Sequence, residues 1–190
     1  MTELSWRPAT KADRALLQGF TCTESAPRPP GSRRPLPHPR PWEVDVQTWF
    51  RGGDALADAY DDAARGGRLL LGFAGGDLAV CASHARLNHP GVETPLRRML
   101  EWDGPIRDLK ALAVACSHRR CGGLVADEAM EHTLGGMLTD ESDLPTLVIS
   151  RIDPRNRASE KFASRHGFEL IDDLPRPDQH RNWFTVIEVD

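Results

Sequence analysis

"LAVACSHRRCGGLVADEAM", residues 112–130, sets an apolar run, a pair of arginines, a pair of glycines and an amphipathic run end to end. The residues through Val114 read as the end of a strand, and those after the glycine pair read as a helix with apolar positions at helical spacing. A strand that feeds a glycine turn at a helix N-terminus leaves unpaired backbone N–H groups pointing outward, with the positive end of the helix dipole behind them. Such a turn binds an anion. Residues 119–124, "RRCGGL", supply the N–H groups, and Gly122 lets an anion reach the backbone where a Cβ would collide. Arg119 and Arg120 add positive charge. The turn therefore reads as a phosphate-binding loop, against the alternative of a plain tight connection. No Gly-Lys-Ser/Thr follows and the spacing is not G-x-G-x-x-G, so the usual fingerprints of nucleotide hydrolysis and hydride transfer are absent.

Upstream, "IRDLKALAVACS" is a strand; strict alternation places Leu109, Ala111 and Ala113 on one side and Lys110, Leu112 and Val114 on the other. "RLLLGFAGGDLAVCASHARL" is a pair of apolar runs joined by a hairpin signal, "AGGD". A turn-rich segment follows, with a short helix expected around Leu96 to Trp102. The N-terminus reads as a short strand and then a helix entered at Thr10. Residues 26–41, "APRPPGSRRPLPHPRP", hold too many prolines for helix or central strand and read as a long extended loop. Short helices broken at Gly52-Gly53 come next. Downstream, "PTLVISRID" is a strand, "NRASEKFASRHGF" a helix ended by Gly167, and "FELIDD" and "RNWFTVIEVD" are the last strands. Strands and helices alternate in the second half, so the fold class is α+β, or α/β, around one mixed sheet.

The length of 190 residues suits a single domain, 1–190, with the Pro-rich loop inside it. A net charge of −4 argues against nucleic acid and anionic membrane as partners, although arginines cluster at Arg28, Arg33, Arg34 and Arg40. The early sequence has no sustained apolar stretch and no run long enough to span a bilayer, which points to the cytoplasm. Arg-rich, Lys-poor composition with abundant Ala, Gly and Pro is that of a GC-rich coding sequence, as in many bacterial proteins. Cys22, Cys81, Cys116 and Cys121 form no short paired spacings and read as reduced thiols; "CSHRRC" lacks the second half of a metal site, and none is expected.

Together these stretches resemble the GNAT N-acetyltransferase superfamily, whose acetyl-CoA loop has the form Arg/Gln-x-x-Gly-x-Gly/Ala after a Leu-x-Val strand. Leu112, Val114, Arg119 and Gly122 match in place; Leu124 stands where the last Gly or Ala is usual, and Cys116 where a proline is common. "TLVISRIDPRNRASEKFASRHGF" resembles the closing strand and helix, with Asn156, Gly167 and Phe168 as its signature, and "WRPATKAD" resembles the usual opening. The resemblance covers about residues 5–25 and 68–190. It implies a GNAT fold, a central mixed twisted sheet flanked by helices in which strands diverge in a V that binds coenzyme A. It also implies acetyl-CoA as cofactor and a primary amine, on a small molecule or a peptide N-terminus, as acceptor.

The residues then implied for the cofactor are Leu112, Ala113 and Val114 through their backbones, Arg119, Arg120, Cys121, Gly122, Gly123 and Leu124 at the phosphates, and Asn156 with Ser159 at the thiol end. Many members place a tyrosine seven residues after the Asn as proton donor to the thiolate; here that position is Ala163, and the lone tyrosine is Tyr60. Ser159 instead resembles the serine of the ribosomal-protein N-acetyltransferase branch and is the expected catalytic group at sulfur, against the alternative of a surface serine. Asp108 at the strand entry is the expected base, with Glu101, His84 and His118 as further candidates. In this family the loop after the first helix lines the acceptor side, which would bring Trp42, Trp49 and Phe50 over it; the plainer reading packs their helix on the sheet. Two competing functions remain: an acyl-CoA-binding module without turnover, and a toxin-like enzyme acetylating aminoacyl-tRNA. A homodimer is left open.

Overall fold

The computed structural model describes residues 3–23, 40–119, 123–171 and 180–189. Most of the Pro-rich loop, and Arg120, Cys121 and Gly122 of the glycine turn, lie outside the described residues. The described strands form an open seven-stranded sheet in the order β1-β2-β3-β4-β5-β7-β6. They are β1 (Ser5–Pro8), β2 (Arg68–Ala74), β3 (Asp77–Arg86), β4 (Ile106–Val114), β5 (Thr146–Ile152), β6 (Glu169–Ile171) and β7 (Arg181–Ile187). Every neighbouring pair is antiparallel except β4 and β5. That parallel pair needs a long crossover, which the 17-residue helix α5 (Leu124–Asp140) supplies.

Helices α1 (Arg14–Gly19), α2 (Pro41–Gly52) and α3 (Asp54–Asp61) cover one face of the sheet, burying Leu17, Phe50 and Leu56 against Leu69, Leu71 and Ala113. Gly53 takes φ +88° between α2 and α3, where an L side chain would be strained, so the glycine pair breaks the helix. Helix α4 (Pro90–Leu100) joins this layer, with Val92 and Leu96 on Ile106, Leu147 and Ile149. It begins well before the expected start at Leu96, because Pro90 and Pro95 mask a helical pattern that Pro90 actually opens at its first position. On the opposite face α5 and α6 (Arg157–Arg165) bury Met130, Met137 and Ala163 over Leu109, Val148 and Ile152. Gly167, at φ +78°, follows the end of α6 as the sequence implied.

The turn of the β2–β3 hairpin holds Gly75 and Gly76, both at positive φ, as a two-residue hairpin loop requires. Strand β4 departs from strict alternation. Ser83 pairs with Ala111 and His84 with Leu109, so Lys110 is the extra residue of a β-bulge. Leu109, Leu112 and Val114 consequently face α5, while Ala111 and Ala113 face α1 and α2, and Lys110 reaches Asp62 just beyond α3. The expected grouping of Leu109 with Ala111 and Ala113 is corrected by that one residue.

At the far end of β4, Arg107 is fully buried and holds the C-terminal end of α5 to the sheet. It donates to Glu141 Oε1 at 2.9 Å, Asp140 Oδ2 at 2.7 Å and the Gly66 carbonyl at 3.0 Å, and lies 2.8 Å from His84 Nδ1. A buried guanidinium is tolerable only when paired in this way.

Candidate functional site

Strands β4 and β5 pair from Ile106↔Leu147 to Leu109↔Ser150 and no further, although β4 continues to Val114 and β5 to Ile152. Beyond that point the strands split, and a cavity of about 850 Å³ occupies the gap. Its walls are the edge of β4 from Leu109 to Val114, the start of α5, and the β5–α6 connection. The N-terminal turn of α2, with Trp42 and Glu43, lies over its other side.

The α5 end of the cavity combines a helix N-terminus with positive charge. Gly123 caps α5 at φ +88°, a left-handed conformation that an L side chain rarely adopts. Arg119 lines the cavity there; its Nε donates to the Val114 carbonyl at 3.3 Å and its Nη1 to Glu43 Oε1 at 3.1 Å. Leu124 is half exposed and does not line the cavity.

At the other end Asn156 caps α6. Its Oδ1 accepts from the Ser159 N–H at 3.2 Å, and its Nδ2 donates to Ser159 Oγ at 2.7 Å. With Oγ already accepting from Asn156, the Ser159 hydroxyl hydrogen is left to donate into the cavity, which both residues line. Ala163 also lines the cavity, whereas Tyr60 lies elsewhere, half exposed and accepting the Lys11 N–H at 3.0 Å. Leu112, Ala113, Val114, Arg119, Gly123, Asn156 and Ser159 are thus brought together in one cavity.

The four candidate bases separate. His84 is 1% exposed and lines neither cavity; burial, then the charges of Arg107 and Arg68, push its imidazole down to about 3. Glu101 ends α4 and lies at neither cavity. His118 lines the main cavity. Asp108 does not: it lines an adjoining pocket of about 220 Å³ on the α3–α4 face, with Lys110 and Arg151 on the wall of both spaces. Asp108 is 6% exposed and accepts from Arg151 Nη2 at 3.4 Å. Cys22 is a further wall residue of the main cavity, and burial pushes its thiol up to about 11, so it stays protonated and non-nucleophilic at neutral pH.

Of the aromatic trio, Trp42 lines the cavity while Phe50 is fully buried in the core with Trp49 packed against it. The Trp42 ring carries the Arg155 guanidinium 5.4 Å from its centroid, and Asp153 Oδ1 holds Arg155 Nε at 2.9 Å. Arg155, in "DPRNR", had no distinguishing signal in the sequence; Pro154 before it only marked a turn.

No protein-family model matches the sequence, and no curated protein matches it either. Solved structures do. An acetyltransferase of the GNAT family from Staphylococcus aureus aligns over 97% of this chain and 99% of its own, with a TM-score of 0.60 at 12% identity. The chain has the GNAT fold. AtaTR solved with acetyl-CoA bound aligns over 98% of this chain and 94% of its own, with a TM-score of 0.60 at 14% identity. Naa50 of Arabidopsis thaliana, solved with the bisubstrate analogue CoA-Ac-MVNAL, aligns over 96% and 97%, with a TM-score of 0.55 at 12% identity. Among the described residues no helix is long and apolar enough to cross a membrane.

Proposed function

We propose that the protein is an acetyl-CoA-dependent N-acetyltransferase that acts in the cytoplasm on a primary amine, carried by a small molecule or a peptide N-terminus. The observation that carries the reading is the split of β4 from β5 beyond Leu109 and Ser150, filled by a cavity that runs to the N-terminus of α5. Its volume of about 850 Å³ suits an elongated cofactor. The residues fit coenzyme A chemically: cation and helix N-terminus at one end, an unpaired strand edge in the middle, and a hydroxyl at the other end.

In this reading Arg119 and Gly123, with Arg120, Cys121, Gly122 and the N–H of Leu124, hold the pyrophosphate. The backbone of Leu112, Ala113 and Val114 stands in for the missing strand partner and holds the pantetheine arm. Acetyl-CoA supplies the thioester. A backbone N–H at the β4 bulge donates to the thioester oxygen, where negative charge develops during attack. Asp108 accepts the proton that the amine must lose as the C–N bond forms, from the side of the sheet opposite α5. Ser159 donates a hydrogen bond to the sulfur as the C–S bond breaks, the role that Ala163 cannot fill.

Titration of the purified protein with acetyl-CoA, followed by thiol release against amines, N-terminal peptides and aminoacyl-tRNA, tests this. Amine-dependent release establishes the transferase and begins to name the acceptor. Binding without release makes the protein a CoA-binding module, and absence of binding overturns the assignment of the cavity. Aminoacyl-tRNA belongs in the panel because arginines cluster at Arg28, Arg33, Arg34 and Arg40, although the net charge of −4 opposes a polyanionic partner.

A further inference from the structure

The adjoining pocket of about 220 Å³ has a composition that the transferase reading does not use. Arg65, Arg86, Lys110 and Arg151 line it, against Asp62 and Asp108. The carboxylates are shared. Asp62 pairs with Arg65 and, through Oδ2, with Lys110 Nζ at 2.6 Å, while Asp58 lies 3.7 Å from the same ammonium. Arg86 pairs with Glu141, which also accepts from the buried Arg107. Asp140 in turn serves both Arg107 and Arg68. These pairs fall into three groups, Arg65–Asp62–Lys110–Asp58, Arg86–Glu141–Arg107–Asp140–Arg68 and Arg151–Asp108. Among the described residues the wall of the pocket itself carries four cations (Arg65, Arg86, Lys110, Arg151) against two carboxylates (Asp62, Asp108), an excess of positive charge around a concave space.

Two features direct that excess. Lys110 is the bulged residue of β4, and with Arg151 it lines the main cavity as well as the pocket, so both stand where the spaces meet. Asp108 lies on the pocket side of the same junction. An occupant with its amine at Asp108 would present whatever lies a few atoms further to Lys110, Arg65 and Arg86. We propose that this pocket is the acceptor site and that its occupant is a small zwitterion: a free amino acid, or a close relative carrying a carboxylate within a few atoms of the amine. The inference rests on the transferase reading and narrows its acceptor. Guanidinium and ammonium groups at a partly desolvated wall bind a carboxylate through charge-assisted hydrogen bonds, whereas a carboxamide in the same place leaves them uncompensated. A pocket of this volume takes one amino acid and has no room for an extended peptide.

The test is calorimetric titration of the full chain, with and without saturating coenzyme A, using the proteinogenic amino acids and their α-carboxamides as matched pairs. At least one free amino acid is expected to bind about tenfold or more tightly than its carboxamide. In Arg65→Gln that ratio is expected to fall toward one. Equal or tighter binding of every carboxamide overturns the proposal, as does binding of no amino acid. Preference for peptide N-termini over free amino acids overturns it too. Acetyl-CoA affinity in the same samples reports separately on the main cavity, so loss of the cofactor reading and loss of the zwitterion reading give different results. Because the decisive comparison uses unmodified protein, a variant that misfolds does not affect it.

Discussion

Glu43 Oε1, on α2, accepts a hydrogen bond at 3.1 Å from Nη1 of Arg119, 76 residues away at the entry to the glycine turn. The guanidinium assigned to a phosphate is thus held by a carboxylate, and Glu43 is fixed in turn by Thr23 Oγ1, which donates to its Oε2 at 3.3 Å. An incoming pyrophosphate must displace Glu43 and then stand near its charge. Glu43→Gln is therefore expected to tighten acetyl-CoA binding about threefold, and Arg119→Ala to weaken it by a similar or larger factor. The effect is modest because the Arg119 side chain is 40% exposed, so solvent screens it. Titration at low and high salt checks both, the difference between Glu43→Gln and wild type shrinking as salt rises.

Gly123 offers a sharper test of the turn. Among the described residues a Cβ there would meet Arg165 and Asp127, each at 3.7 Å, an ordinary contact, whereas the φ of +88° strains any L side chain. Gly123→Ala is expected to cost about 1–2 kcal/mol of stability through backbone strain alone. Gly123→Asp adds a negative charge at the helix N-terminus beside the expected anion, and should abolish measurable acetyl-CoA binding while melting no lower than Gly123→Ala. Equal affinity in the two variants would remove the anion from this turn.

Ser159 and Asp108 separate by kinetic signature. Ser159→Ala removes the hydroxyl but keeps the Asn156 Oδ1 cap on the Ser159 N–H, so kcat should fall about tenfold with KM for acetyl-CoA little changed. Asp108→Asn removes the proton acceptor from the pocket face and is expected to lower kcat by about 10²–10⁴. Its loss should be partly recovered at high pH, where the amine is already neutral. Asn156→Ala removes the α6 cap, costing about 1 kcal/mol of stability, and with it the Nδ2 donor that holds Ser159 Oγ, so kcat should fall as well.

The fold was legible where local pattern and topology agree. The two-glycine hairpin, the strand before the glycine turn, Gly53 between helices and Gly167 after α6 each follow from residues that permit few other conformations. What escaped the sequence depended on register and on distant contacts. The bulge at Lys110 turns one face of β4 into the other, and periodicity read from a single strand has no information on the register with β3, where Ser83 pairs with Ala111 and His84 with Leu109. Trp42 and Phe50 share a helix and a residue class, yet one lines the cavity and the other is core, because only the first lies in the turn of α2 that crosses the split. The sequence points to Asp108 as a base at the site, but only the sheet, which puts it on the face opposite α5, places it in the adjoining pocket.

His84 gives a pH dependence that is independent of any ligand. Its ring is buried with Nδ1 against Arg107 Nη2, so the neutral form accepts from the guanidinium and a proton on Nδ1 would oppose it. Burial, then the charges of Arg107 and Arg68, lower the imidazole from the ordinary 6.5 to about 3 in the folded chain. Between those values the unfolded chain binds a proton that the folded chain does not, so stability rises with pH across this window and is lost as pH falls below 6.5. One such proton corresponds to at most about 1.4 kcal/mol per pH unit. Carboxylates held by arginines, Glu141 among them, add to the slope only at lower pH, because burial raises Glu141 but its bonds to Arg86 and Arg107 outweigh that. His84→Gln keeps an acceptor for Arg107 without a titrating group. Urea unfolding between pH 7 and 5 should show wild type losing stability steeply and His84→Gln nearly flat, the two curves converging toward acid. Parallel slopes would mean that His84 keeps its proton in the folded state and that Arg107 is balanced by Asp140 and Glu141 alone.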